Sequence, residues 1–428
     1  MPLGKLLKWL RPGLRIKRWI AVIFLGLLFA VLAWSSLLLW LGASDSARLE
    51  THVFGIGITS GNALLIGTVF SFSLSGFCLI TGIYRLIKSM WDLVDRRGAR
   101  KGLVEAAYER AVLSQGPKVV AIGGGTGLSC VLTGLKKYSA DVTAIVSMAD
   151  DGGSSGKLRQ ELGISPPGDI RKCLIALADE EPLMSELLDY RFPENELGGH
   201  NFGNLFLTAL ARIRGDFGEG VREANQILSV RGRVLPSTLD NIMLVATHED
   251  ESKTTGQALI CKTQKRIKKL DLRPEPQPVA TDIVKAIEEA DLIVIGPGSL
   301  YTSVIPNLLI KGMAEALSRS KARKVFVCNI MTYEGETRGY QLPDFLKAID
   351  EHTFPHRVYD CVLVNDGKHR DTGVVAVKER NAHPVRYEAS LYQNAPFQVI
   401  ASDVVNPAFP IRHDTMKLAD TLVRIMNG

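Results

Sequence analysis

No two of the six cysteines in this 428-residue chain stand in a C-x-x-C arrangement. Cys78, Cys130, Cys173, Cys261, Cys328 and Cys361 are scattered, several of them inside apolar runs. That spacing offers no zinc framework and fits reduced, buried thiols. The H-E-x-x-H signature is missing too, and no order of Ser, His and Asp supports a hydrolytic triad. Internal repeats and low-complexity tracts are also lacking. Basic residues are missing where a nucleic-acid-binding domain would concentrate them. Residues 1–115 hold 14 Lys and Arg against 6 Asp and Glu, whereas the remainder holds 37 against 39. The excess of +6 therefore belongs to the N-terminal region, which argues against nucleic acid as a partner and for a membrane.

What is present begins with two apolar spans. Ile20–Leu41 is 22 residues without a charge. As a helix it rises about 33 Å, enough to cross a hydrocarbon core. Val53–Tyr84 is also uncharged, and its Ala63–Tyr84 part could span alone. A cleaved signal peptide would have a shorter apolar run and no second span. Lys5, Lys8, Arg11, Arg15, Lys17 and Arg18 precede the first span, and Arg85, Lys88, Arg96, Arg97, Arg100 and Lys101 follow the second. The connector Gly42–Asn62 carries one basic residue besides His52, namely Arg48. The positive-inside bias then predicts a two-helix hairpin in the plasma (inner) membrane with both termini and the main domain cytoplasmic. The expected organisation is a hairpin over 1–84, a juxtamembrane helix or linker over 85–116, and a ligand-binding domain over 117–428. A chain of this length suits about two to three structural units.

From Lys118 onward short β-rich runs alternate with helical patterns. Val119–Ile122, Val142–Val146, Ile242–Ala246, Leu292–Ile295, Val325–Cys328, Cys361–Val364 and Val374–Val377 read as strands. Gly127–Lys137, Leu205–Ile213, Thr281–Glu289 and Leu308–Leu317 read as helices. The predicted fold class is α/β, a Rossmann-like, mostly parallel sheet with helices on both faces. Such sheets bind ligands beyond the carboxyl ends of their strands.

Two glycine-rich loops follow strands there. In the first, Gly123, Gly124, Gly125, Thr126 and Gly127 lead into a helix. Glycines admit an anion close to the backbone, and a helix start offers unpaired N–H groups and a positive dipole end. The spacing is neither G-x-G-x-x-G nor a P-loop; a tight strand–helix turn is the structural alternative. The second loop holds Gly296, Gly298, Ser299, Tyr301 and Thr302, candidates for a second phosphate or a sugar. Between them Asp150 and Asp151, beside flexible glycines, suit a divalent ion such as Mg2+, ligand hydroxyls or a plain turn. His200, Asn201 and Asn204 sit at a helix start and could contact a ligand. Arg231 and Arg233 suit bidentate phosphate contact or a solvated face.

The segments Ile122–Ser129, Ala149–Gly156, Pro166–Arg171, Gly199–Leu205 and Gly296–Ser303, in this order, closely resemble the gluconeogenesis-factor (YvcK-like) proteins. That family is related to 2-phospho-L-lactate transferase (CofD). The resemblance runs from about residue 117 to the end. It implies a Rossmann-like fold, a bacterial origin, binding of UDP-N-acetylglucosamine and a role in carbon flux, cell-wall synthesis and cell shape. It also implies a cell-wall regulatory protein as partner and leaves a homo-oligomer open. The related transferase implies a competing reading, a metal-dependent phospho-transferase with a guanylylated small acid as substrate and with Asp150 and Asp151 on the metal. Most members lack a membrane hairpin, so the N-terminal region departs from the pattern.

Overall fold

The structure is a computed structural model that describes residues 16–42, 50–53, 56–94, 113–178, 182–367 and 382–428. The predicted strand Val374–Val377 lies outside the described residues. The chain divides into two compact units, residues 1–110 and 111–428.

In the first unit, helix α1 (Ile16–Gly42) and helix α2 (Ser60–Val94) flank a small antiparallel ribbon of β1 (Glu50–Val53) and β2 (Ile56–Thr59). Stretches of 22 and 25 residues in the two helices are long and apolar enough to cross a membrane. They pack on each other through small and hydroxylated residues. Ser75 Oγ donates to the Gly26 carbonyl at 2.8 Å, and Thr68 Oγ1 to Ser36 Oγ at 2.9 Å. A Cβ on Gly82 would stand 2.7 Å from Ile23 Cγ1, so the glycine sets how closely the helices approach. The outer faces expose Phe24, Val31, Leu39, Phe70, Phe77 and Ile80. Unpaired polar side chains would be costly in lipid; Ser75 and Thr68 bond across to the other helix, while the exposed Ser35 and Ser73 donate to the Val31 and Val69 carbonyls of their own helices. α2 continues past residue 84 as one helix to Val94.

The second unit is built on a seven-stranded sheet in the order β12-β11-β10-β9-β3-β4-β5, every neighbouring pair parallel. Its strands are β3 (Val119–Gly123), β4 (Val142–Val146), β5 (Arg233–Pro236), β9 (Leu292–Ile295), β10 (Arg323–Val327), β11 (Cys361–Asn365) and β12 (Gln398–Ser402). A second, antiparallel sheet contains β6 (Met243–His248), β7 (Lys253–Thr255) and β8 (Ile267–Arg273) in the order β7-β6-β8. The run at Ile242–Ala246, read from sequence among the strands of one mostly parallel sheet, is therefore in a separate sheet. The physical reason is visible in its burial. β3 and β4 are buried at all five positions, whereas β6 alternates, with Leu244 and Ala246 buried and Met243 exposed. A parallel strand covered on both faces reads as a continuous apolar run; a one-sided antiparallel strand alternates.

The helices are α3 (Gly125–Leu135), α4 (Gly153–Leu162), α5 (Gly168–Leu177), α6 (Pro182–Asp189), α7 (Phe202–Arg214), α8 (Phe217–Ile227), α9 (Gln257–Ile260), α10 (Thr281–Glu288), α11 (Ile305–Leu308), α12 (Met313–Arg319), α13 (Leu342–Thr353) and α14 (Thr415–Asn427). The predicted helix Leu308–Leu317 is two helices, because Gly312 between α11 and α12 adopts the left-handed conformation at φ 86°. Successive residues of each strand feed opposite cores, as a period of two requires. Val119 and Ala121 of β3 join α3, α5, α7, α8 and α14; Val120 and Ile122 join the small sheet and α10–α13.

Strand order places the site. The chain runs from β3 outward through β4 to β5, then returns to the other side of β3 with β9 and continues to β12. The order reverses between β3 and β9, and beyond their carboxyl ends lies the crevice in which doubly wound sheets hold ligands.

Candidate functional site

Both glycine loops emerge at that crevice and touch. A Cβ on Gly127 would collide with the Pro297 carbonyl oxygen and come within 2.8 Å of its carbon and 3.1 Å of Gly298 Cα. Glycine at 127 is what lets the two backbones lie against each other. Asn307, fully buried in α11, ties them further by donating Nδ2 to the Gly123 carbonyl at 3.1 Å and the Ser303 carbonyl at 2.7 Å. Asn329, just beyond β10, accepts the Gly298 N–H on Oδ1 at 3.4 Å. The first N–H groups of α3 are the orphan donors of a helix start, and Gly125 at φ 60° turns the chain into the helix. Thr126 is exposed at the mouth, with Gly298 and Ser299 half-exposed beside it.

The acidic loop enters from β4. Its two carboxylates diverge. Asp151 Oδ1 accepts the Ala258 N–H at 2.8 Å and so satisfies the start of α9. Asp150 Oδ1 accepts the Gly152 N–H at 3.1 Å, and its other oxygen faces Gly168, where a Cβ would stand 2.9 Å away. The carboxylate that accompanies Asp150 is Asp169, in the first turn of α5. A Cβ on Gly124 would come 2.8 Å from Asp169 Oδ2, so this buried carboxylate lies directly against the first glycine loop. Lys172 Nζ donates to Asp169 Oδ1 at 3.1 Å. Burial, then the Asp169 charge, pushes the Asp150 carboxyl above its ordinary range, with Ser155 and Gly152 hydrogen bonds opposing. Ser155 Oγ also accepts the Gly168 N–H at 3.1 Å, locking α4 to α5.

The structure does not bring all sequence-predicted residues to the crevice. Gly123, Gly124, Gly125, Thr126, Gly127, Gly296, Gly298 and Ser299 are there. Tyr301 and Thr302 turn into the core. The Tyr301 N–H and Thr302 Oγ1 donate to buried Glu336 at 3.0 and 2.5 Å, and the Tyr301 hydroxyl meets that of Tyr340 at 3.0 Å. Glu336 thus takes two of the donors that the sequence offered for a second phosphate or a sugar. His200, Asn201 and Asn204 converge on Ser154 of α4. Asn204 Nδ2 and the Asn201 N–H donate to Ser154 Oγ at 3.0 and 3.3 Å, and His200 Nδ1 lies 3.0 Å from it. They hold the acidic loop's helix from behind. Arg231 and Arg233 are at the opposite, amino-terminal edge of the sheet. Arg233 opens β5 opposite Thr143 and donates Nε to its hydroxyl at 2.9 Å, while the Arg231 N–H donates to the Leu177 carbonyl at 2.8 Å. Strand polarity, which a sequence window cannot display, separates these arginines from the loops.

Sequence reading missed Asp169, Ser155, Asn307, Asn329 and Glu336. Asp169 and Ser155 had a signal, since they lie in the segments Pro166–Arg171 and Ala149–Gly156 that carry the family resemblance. Among the described residues no group of three or more His, Cys, Asp or Glu is placed to hold a metal ion. Two carboxylates, Asp150 and Asp169, fit a Mg2+ ion only if ligand phosphates and water complete its shell, which is how Mg2+ is commonly held. Chemically the crevice offers helix-start N–H donors for a phosphate and, next to them, negative charge that a bare phosphate would repel unless a cation intervened.

The family model described as 2-phospho-L-lactate transferase CofD matches residues 119–405. The gluconeogenesis factor of Bacillus subtilis is 43% identical over 73% of this chain and 99% of its own length. A relative from Nostoc sp. is 40% identical over 98% of this chain and 92% of its own. A crystal structure of a protein from Bacillus halodurans superposes with a TM-score of 0.69 at 42% identity, covering 72% of this chain and 99% of that one.

Proposed function

The chain belongs to the 2-phospho-L-lactate transferase (CofD) family and to its gluconeogenesis factors, and from that premise we propose that it is a membrane-anchored regulator that binds UDP-N-acetylglucosamine in the β3–β9 crevice. The observation that carries this reading is the contact of the two glycine loops, pinned by Asn307, over a helix start with orphan N–H donors. One diphosphate occupies the first loop, and Mg2+ held by Asp150 and Asp169 removes its repulsion from those carboxylates. The sugar extends toward Gly298 and Ser299. The anchor is the pair of apolar helices, with both termini cytoplasmic. The ligand level in the cytoplasm then sets carbon flux, cell-wall synthesis and cell shape through a cell-wall partner protein.

Titration calorimetry with UDP-N-acetylglucosamine on residues 111–428, with and without Mg2+, tests it. Saturable binding that strengthens with Mg2+ is expected. No heat at millimolar ligand in either condition overturns it.

A second reading, a metal-dependent phospho-transferase acting on a guanylylated small acid, draws on one specific observation. Asp150 is half-buried and lies near a second carboxylate beside a phosphate-type loop, an arrangement that suits catalysis as well as binding. Release of guanosine monophosphate from such a substrate by the purified protein would favour it.

A further inference from the structure

From residue 116 onward the chain carries 37 Lys and Arg against 39 Asp and Glu, so local groups, not a general field, must draw an anion to the crevice. Three basic side chains of α4 and α5 are committed elsewhere. Lys157 donates to Glu194 Oε2 and to the Gly198 carbonyl, both at 2.9 Å. Arg159 donates to the Ile242 carbonyl, and buried Arg171 to the Leu188 carbonyl and to Asp189. Lys172 differs. Helix side chains lean toward the helix N-terminus, so Lys172 leans back over Asp169, one turn earlier in α5. Its Nζ donates to Asp169 Oδ1 at 3.1 Å, and that same oxygen would stand 3.6 Å from a Cβ on Gly125. The ammonium is thus one carboxylate oxygen away from the loop that opens α3. The Asp169 side chain is 10% exposed and that of Lys172 37%, so the pair opens to solvent on the lysine side. An ammonium has three N–H donors, and the bond to Asp169 uses one.

We propose that Lys172 contacts the diphosphate of the ligand at the start of α3 and that Asp169 holds it in position to do so. The inference rests on the reading that the first glycine loop takes a diphosphate. The α3 start supplies N–H donors from one side. A compact ammonium on a flexible stem can meet the same phosphate from another side. Its pairing with a buried carboxylate fixes it beforehand, which reduces the ordering cost on binding. Asp169 Oδ1 serves Lys172, and Oδ2, the oxygen on the Gly124 side, is left for Mg2+. The lysine charge also reaches the acidic loop. Burial and then Asp169 push the Asp150 carboxyl up, and Lys172 is among the groups that oppose them. An ion pair this open adds little to stability, so stability alone does not account for a lysine placed against the loop.

The test is calorimetry on the full chain in neutral detergent, with inorganic pyrophosphate and UDP-N-acetylglucosamine as separate probes. Lys172→Gln keeps an N–H for Asp169 and removes the charge. It weakens both probes by at least about tenfold, the size expected for one charge-assisted hydrogen bond. Lys172→Arg, which keeps the charge, restores binding toward the wild-type value. A lysine that only neutralised Asp169 would lose its effect once that carboxylate is gone. Lys172→Gln is therefore repeated in an Asp169→Asn background without Mg2+, where the tenfold loss persists. Unchanged affinity in Lys172→Gln overturns the proposal, as does a loss that vanishes in the Asp169→Asn background. The two readings fail separately. Lys172-dependent binding of pyrophosphate with no binding of UDP-N-acetylglucosamine keeps the lysine contact and overturns the nucleotide-sugar reading. UDP-N-acetylglucosamine bound equally well by wild type and Lys172→Gln overturns the lysine contact alone. A wild-type chain that binds neither probe overturns both.

Discussion

Substituting Gly127→Ala tests the site geometry most directly. The new Cβ would stand 2.8 Å from the Pro297 carbonyl carbon and nearer still to its oxygen. Carbon atoms rest at about 3.5–4.0 Å, so the two glycine loops must part by about 1 Å. Both are backbone, and neither can rotate away as a side chain would. Overpacking of this kind costs ~1–3 kcal/mol. The separation also pulls on the Asn307 bonds that hold Gly123 and Ser303. Displacing a preorganised site by about 1 Å can cost as much as a hundredfold in function, and at least a tenfold loss of UDP-N-acetylglucosamine affinity is expected here. Gly123→Ala is the control, since its Cβ meets nothing closer than Leu128 Cβ at 3.6 Å. Calorimetry and thermal unfolding of both variants form the assay. If Gly127→Ala keeps wild-type affinity and Tm, the loops do not form one rigid cradle and the reasoning fails.

Three further outcomes follow from the structure. Asp150→Asn should raise apo stability at neutral pH, because burial and Asp169 disfavour the ionised carboxylate, yet should weaken Mg2+-dependent binding; lower Tm together with intact binding would refute this. His413 is partly exposed as a residue, but its Nε2 is sealed away without a partner, and burial lowers its pKa from 6.5 to about 4. The unfolded state then binds more protons between these values, so stability should fall as pH drops from 6.5 toward 4, and His413→Gln should flatten that part of a denaturation-versus-pH curve. The full chain should stay with membranes through a high-salt wash, because burial of apolar helices is insensitive to screening, and a reporter after Gly428 should read cytoplasmic; release by salt alone would rule out spanning.

The apolar spans, the core strands and the glycine loops were legible in the sequence because each is a local property. A run such as Val142–Val146 is buried at every position, and its composition announces that without knowledge of its neighbours. Gly123–Gly127 between a strand and a helix fixes a turn and a helix start by its own backbone freedom. Other features depended on what the chain packs against. Nothing in Asp150-Asp151 tells that one carboxylate meets Asp169 and the other satisfies α9, because those partners come from the first turns of α5 and α9. Tyr301 and Thr302 looked available until Glu336, more than thirty residues later, took their donors. Arg233 suited a phosphate or a solvated face equally until strand polarity set it at the far edge of the sheet. Sequence by itself determined which segments form strands, helices and glycine-rich turns. Only the tertiary structure decided which side chains share the crevice, because hydrogen bonds and charge pairs form between segments that meet in space.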